Sequence, residues 1–339
     1  MRNWQLLDAT SAHAAGAPHE LFGSRRWAET LSAAYGWRWC WLFDGEDGYF
    51  PLAVLDDEAG KRVSVFPFSD YLPLEALARD AAALAAVRQR LSERFPDHLI
   101  QLKILFSGEA PPAPAGWRVS REAVAHRWYA ADPAPRATFG QKVRQAERRG
   151  VSVRVRTDRA AASAFYALYQ KQRLERFGLL SQPPGFLDAL HQHFMTTDRG
   201  FYLEAIYEER VVGSFVVLRC GEGLFHKFSA TSDEGWRLRP NNLLYHALQE
   251  MVRTGEARFL DFGLSGTGDN YKGLRAFKSA TGAPMHSVRY WTFTPPGYPL
   301  AAREAFLELP KALTKTLVTH RAPLALREAV STQIYPLFA

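Results

Sequence analysis

At 339 residues the chain has the length of about two domains of ~150 residues each. Its 47% hydrophobic and 13% aromatic content excludes a disordered or low-complexity protein. The formal charge of +7 is unevenly spread: residues 136–176 hold eleven basic residues against Glu147, Asp158 and Glu175, a local +8 that leaves about −1 elsewhere and excludes a generally basic coat for nucleic acid.

In chain order, residues 38–43, 49–55 and 62–66 read as short strands. The first two are joined by the turn-forming run Asp44-Gly45-Glu46-Asp47-Gly48. Residues 74–95 carry Leu77, Ala81, Leu84, Val87 and Leu91 on one helical face. Strands at 99–106 and 123–130 close this half. Proline-rich stretches at 108–116 and 130–135 read as connectors and put a domain boundary near Pro135.

Beyond it, 138–149 is a basic helix with Phe139, Val143 and Ala146 inward and Gly150 at its end. Val151, Val153 and Val155 then alternate with Ser152, Arg154 and Arg156, a strand with a wet arginine face. Asp158 caps a helix to about Arg176 that buries Phe165, Leu168 and Tyr169, and a helix over 185–195 follows Pro183-Pro184. Strands at 201–207, 211–219 and 224–231 make an antiparallel meander. A helix at 241–254, a strand at 257–262, a helix at 274–281 and a strand at 286–293 complete the pattern. Both halves thus show a meander, a crossover helix and two more strands, which predicts tandem copies of one α+β fold with mixed, largely antiparallel sheets. The expected domains are 1–135, 136–296 and a helical tail, 297–339, whose alternative reading is an amphipathic membrane-surface helix.

Cys40 and Cys220 lie far apart and outside any C-x-x-C pattern, which argues against a disulfide framework or a structural zinc site. Asp8 interrupts the stretch a signal peptide would need, and no apolar run approaches ~18 residues, so the expected location is the cytoplasm. His191 and His193, two apart on a helix, face different ways, and no metal site is expected. No Ser-His-Asp or Cys-His nucleophile set is apparent, which favours direct transfer chemistry.

Two segments can carry chemistry. The turn Gly235-Trp236-Arg237-Leu238-Arg239-Pro240-Asn241-Asn242 leads into a helix N-terminus, where unpaired N–H groups and the dipole favour an anion. An Asn-capped helix with two solvated arginines fits that spacing equally well. The run Asp261-Phe262-Gly263-Leu264-Ser265-Gly266-Thr267-Gly268 precedes Phe277 and Lys278, and its glycine spacing matches neither a P-loop nor a dinucleotide fingerprint. Lys278 shares a helical face with Leu274 and Thr281, near the apolar seam, where a lysine is costly. His226 and Lys227 alternate on the third meander strand, so one of them faces inward.

Residues 139–150, then 166–178 with Arg173 or Arg176 before Gly178, then Leu238-Arg239-Pro240-Asn241-Asn242-Leu243-Leu244, Asp261-Phe262-Gly263, and Phe277-Lys278 with Gly282 resemble the FemAB-like transferases of the GNAT acyltransferase superfamily. Pro67-Phe68-Ser69-Asp70-Tyr71 is similar to their N-terminal segment. The resemblance implies two GNAT-like domains with a cleft between them, and transfer of an acyl or aminoacyl group to an amine. In the Fem peptidyltransferases the donor is aminoacyl-tRNA and the acceptor a peptidoglycan precursor. It implies that Phe277 and Lys278 serve donor binding and stabilise the reacting carbonyl. Asp261, at a strand end, is a candidate to orient the acceptor amine or take its proton, its alternative role being to cap the next loop.

Lys142, Arg144, Arg173, Arg176, Arg237, Arg239, Asn241 and Asn242 are the expected donor contacts. Ser69, Asp70, Tyr71 and His226 are the expected acceptor contacts. The chain departs from the family in lacking a long coiled-coil arm. It departs from ordinary GNAT enzymes in having Arg-Pro-Asn-Asn where they use a glycine-rich turn for coenzyme A. The expected co-substrate is aminoacyl-tRNA or acyl-CoA, with no tightly bound cofactor and no DNA partner. An acyl-CoA or carrier-protein-dependent N-acyltransferase of polysaccharide or envelope biosynthesis is the first alternative, and a non-catalytic binding protein of the same fold the second.

Overall fold

The computed structural model describes residues 3–11, 20–46 and 48–338. The chain divides into two compact units, residues 1–124 with 286–314 and 332–339, and residues 125–285 with 315–331.

In the first unit, β1 (Gln5–Asp8), α1 (Arg25–Tyr35), β2 (Arg38–Phe43), β3 (Tyr49–Asp57), β4 (Gly60–Val65), α2 (Glu75–Arg79), α3 (Ala81–Arg94), β5 (Leu99–Phe106) and the start of β6 (Arg118–Tyr129) follow in order. β1 to β4 form an antiparallel meander, and β5 then pairs parallel to β4. A parallel pair needs a crossover, which α2 and α3 supply. The single helix expected over 74–95 is two helices because the Asp80 side chain accepts from the Ala83 N–H at 2.9 Å and starts a new one. α1, not apparent from the sequence, is capped by Ser24 and stopped by Gly36 at φ 71°. Asp44 accepts from the N–H groups of Glu46 and Gly48 in the expected turn, of which Asp47 lies outside the described residues. Trp27, Trp41, Phe66 and Tyr71 are fully buried.

The second unit repeats the plan. It runs through α4 (Ala137–Arg148), β7 (Ser152–Arg156), α5 (Arg159–Glu175), α6 (Pro184–Leu190), β8 (Gly200–Tyr207), β9 (Arg210–Cys220), β10 (Gly223–Thr231), α7 (Gly235–Leu238), α8 (Pro240–Arg253), β11 (Phe259–Gly266) and α9 (Lys272–Ala280). β7 to β10 form the antiparallel meander, and β11 pairs parallel to β10 across the α7–α8 crossover. Phe139, Val143 and Ala146 of α4 and Leu243, Leu244, Leu248 and Val252 of α8 pack with sheet residues in one apolar core. At ~1.5–3 kcal/mol per fully buried large side chain, this seam supplies much of what holds the two helices in place. β7 is the edge strand, which is why Val155 is 49% exposed although the alternation points it with Val151 and Val153.

After α9 come β12 (Met285–Phe293), α10 (Leu300–Thr319) and α11 (Leu324–Ile334). Here the expected assignment is corrected. Residues 123–130 do not close the first sheet, nor 286–293 the second. Instead β12 pairs antiparallel with β5, from Ser287 opposite Phe106 to Phe293 opposite Ile100, while β6 neighbours β11. Alternation identifies a strand but not its partner. The exchange puts the division of the chain at 124/125 rather than near Pro135, and the tail is shared between the units. Within the second unit Glu328 of α11 accepts from Tyr166 Oη at 3.1 Å and Gln170 Nε2 at 2.7 Å, which seats α11 on α5. Among the described residues no helix is long and apolar enough to cross a membrane.

Candidate active site

The second unit's parallel pair is short. β10 and β11 stay in register only from Gly223–Phe259 to Phe225–Asp261, and β10 then bulges between His226 and Phe228. Beyond that point lies a pocket of about 620 Å³, lined by Ser229 and Thr231 of β10, the α7–α8 junction, and Gly273, Leu274 and Phe277 of α9. At the junction Arg239 holds φ 62° and ψ 38°, a left-handed conformation that favours glycine, and Pro240 opens α8 at a position that needs no N–H. The fourteen-residue α8 therefore points its N-terminus at the pocket. Asn241 Oδ1 accepts from Thr231 Oγ1 at 2.9 Å, which ties the helix start to the end of β10. Asn242 is 5% exposed and its buried Nδ2 has no hydrogen-bond partner.

Lys142, Arg176 and Arg239 line the pocket, and no Asp or Glu does. Phe177, Trp236 and Tyr271, all exposed, surround its mouth, and the Arg176 guanidinium lies 3.2 Å from the centre of the Trp236 ring. This combination of cations, a helix N-terminus and aromatic faces suits a phosphate-bearing ligand with an unpaired base.

The inner wall is Phe277 and Tyr245, whose rings lie 5.7 Å apart. Tyr245 Oη is 3.0 Å from His226 Nδ1. Burial and the nearby Lys278 charge push His226 down from 6.5 to about 3, so the ring is neutral near pH 7. Burial and Asp261 together raise the Tyr245 phenol well above 10. His226, not Lys227, is the inward member of the pair, packing on Phe215 and Tyr245.

Lys278 is 3% exposed, and its Nζ donates to the carbonyls of Gly263 at 2.8 Å and Leu264 at 3.0 Å. Its helix end is fixed by Gln249, whose Nε2 donates to Thr281 O at 2.8 Å. Gly282, at φ 88°, lies so close to the Pro133 carbonyl that a side chain there would collide with it. Asp261 pairs with Arg127 at 3.3 Å and accepts from the Gly263 N–H at 2.7 Å. Its carboxylate thus holds the backbone at Gly263, within β11, and does not line the pocket.

Of the expected donor contacts, Lys142, Arg176, Arg239, Asn241 and Asn242 come together with Phe277. Arg144, Arg173 and Arg237 do not line this pocket. Arg144 is exposed on α4, Arg173 donates to Leu180 O at 3.1 Å, and the Arg237 carbonyl accepts from Arg149. Much of the remaining basic run is neutralised locally: Arg154 pairs with Glu204, Arg156 with Asp158, Arg159 with Asp188 and Lys171 with Asp233. Ser69, Asp70 and Tyr71 belong to the first unit, where Ser69 Oγ accepts from Trp27 Nε1 at 2.7 Å and Tyr71 packs edge-on to Phe22. Phe177, Tyr245 and Tyr271 are pocket residues that sequence reasoning missed. The i, i+4 spacing of Asn241 and Tyr245 on α8 was the available signal.

Residues 133–273 match the model of the acetyltransferase (GNAT) domain. None of the curated proteins matches the chain. Among solved structures, FemX is 14% identical, with 82% of this chain and 94% of FemX covered at a TM-score of 0.59. L-PGS from Bacillus licheniformis is 12% identical, with 85% and 96% covered at 0.55. The fold is thus that of FemX and L-PGS, and the second unit contains the match to a GNAT acetyltransferase domain. Phe277 and Lys278 lie just beyond the matched residues.

Proposed function

We propose that this chain is an acyltransferase that moves an acyl or aminoacyl group from a phosphate-bearing donor to an amine, with aminoacyl-tRNA the favoured donor and a cell-envelope precursor or small molecule the acceptor. The observation that carries this reading is the charge of the second unit's pocket: three cations, no carboxylate and the start of α8. Lys142, Arg176 and Arg239 hold donor phosphates, and Trp236 and Tyr271 offer faces to unpaired bases. Arg239 in its left-handed conformation replaces the glycine-rich turn with a cation, which favours a nucleic-acid donor.

In the reaction the acceptor nitrogen attacks the ester carbonyl carbon, the carbon–oxygen bond to the donor breaks, and the amine proton ends on the departing oxygen. Negative charge develops on the carbonyl oxygen. Lys278, buried behind Phe277, supplies a fixed positive charge in a low-dielectric setting that stabilises it. Of the expected acceptor contacts, His226 acts through Tyr245.

A thioester donor, acyl-CoA or a carrier protein, is the second reading. The parting of β10 and β11 favours it, since an extended arm fits between separating strands. Mass spectrometry of candidate amines incubated with charged tRNA and, in parallel, with CoA thioesters tests both. An aminoacyl mass added only from tRNA supports the first reading. An acyl mass added only from CoA overturns it in favour of the second.

A further inference from the structure

A second pocket, of about 320 Å³, adjoins the first and shares Lys142, Asn242, Gly273 and Phe277 with it. Its floor is the face of α9 formed by Gly273, Ala276, Phe277 and Ala280, each three or four residues from two of the others, and its opposite wall is the first turn of α4. Three of those four α9 residues are glycine or alanine, which leaves the space open.

The α4 end of this pocket is built for an anion. α4 has twelve residues, and its N-cap, Arg136, makes no side-chain capping bond; the Phe139 N–H turns back to the Arg136 carbonyl at 2.9 Å, which leaves the Ala137 and Thr138 N–H groups as the helix's open donors. The Arg136 backbone N–H is anchored on Ala280 O at 2.9 Å, which fixes the helix start against α9. Arg136, Thr138 and Lys142 line the pocket, with no Asp or Glu. Independently, the buried Asn242 Nδ2, without a partner, belongs to a residue lining this pocket as well as the first. A buried donor without an acceptor is costly, and a ligand oxygen would satisfy it.

We infer that this second pocket is a phosphate subsite, in which Arg136, the Thr138 hydroxyl, Lys142 and Asn242 Nδ2 donate to one phosphate group. The assignment deepens the donor reading above: a donor whose reacting end lies in the first pocket places another of its phosphates here. Two sources share that chemistry, the backbone of an RNA 3′ end and the phosphates of coenzyme A.

Inorganic phosphate is the direct probe. With asparagine side chains labelled with ¹⁵N in the full chain, and the Asn242 signal identified by its loss in Asn242→Asp, phosphate should shift that signal saturably. Arg136→Gln should weaken this binding by about tenfold or more, while Arg239→Gln should leave it unchanged. Absence of a saturable shift in the unaltered chain, or sensitivity to Arg239→Gln but not to Arg136→Gln, would overturn the subsite.

Deacylated tRNA, CoA and dephospho-CoA then distinguish the sources. For tRNA, Arg136→Gln should lower the slope of log affinity against log salt by about one. For CoA, loss of the 3′-phosphate and Arg136→Gln should have non-additive effects. A saturable phosphate shift with no binding of tRNA or CoA would keep the subsite and overturn the donor reading alone.

Discussion

Each unit buries a lysine whose ammonium donates to main-chain carbonyls. In the first, Lys103 on β5 reaches Ser69 O at 3.2 Å and Phe66 O at 3.5 Å and lies 5.6 Å from the centre of the Tyr290 ring. In the second, Lys278 on α9 reaches Gly263 O and Leu264 O. The device is the same, since a buried cation must find acceptors. The surroundings differ. Lys103 bridges β5 to the turn after β4, beside Tyr290, whereas Lys278 follows a phenylalanine that lines two cation-bearing pockets and helps keep His226 neutral. Burial of a lysine is therefore not by itself a sign of chemistry; the cavity beside it is.

The largest effect should separate these two residues. Lys278→Met is expected to lower the transfer rate about 10²–10³-fold with the fold retained, as loss of a fixed electrostatic stabiliser does. Lys103→Met should leave the rate intact and cost about 1–3 kcal/mol of stability in denaturant unfolding, from carbonyls left without donors. Equal rate losses in both variants would erase the distinction. Next, Arg239→Gln should raise the donor KM about tenfold or more with kcat little changed, as loss of a charge-assisted phosphate contact.

A smaller, pH-dependent effect comes from His226. The unfolded chain protonates it below about 6.5, while the folded protein holds it neutral down to about 3. Its contribution to stability is thus complete above pH 6.5 and is lost progressively as pH falls toward 3, and thermal unfolding of His226→Gln should lack that component. Smallest of all, Arg159→Gln removes an exposed pair with Asp188 and should change neither donor binding nor melting temperature measurably. A drop in donor affinity there would restore the whole basic segment as a binding surface.

That last contrast shows what the sequence could convey. The order of strands and crossover helices was legible because alternation and helical spacing are local, and the helix start at Asn241 and Asn242 was legible from its turn. Three features were not local. The exchange of β6 and β12 depends on which strand edge each meets. The neutralisation of Arg154 by Glu204, fifty residues away, depends on β7 pairing with β8. Tyr245 and Tyr271 become pocket residues only because α8 and α9 meet across β11, whereas Asp261, a plausible base by type, is drawn into a pair with Arg127 from β6.

On the proposed function, three pocket cations, rather than the basic segment as a whole, hold the phosphate-bearing donor. Equilibrium binding of deacylated tRNA, measured from low to moderate salt, tests it most directly when the Lys142→Gln/Arg176→Gln/Arg239→Gln variant is set beside the unaltered chain. Salt-sensitive binding by the unaltered chain is expected, with a loss of about a hundredfold or more in the triple variant and a salt slope smaller by about three. Binding by the triple variant with unchanged affinity and slope, or no salt slope in the unaltered chain, would contradict it.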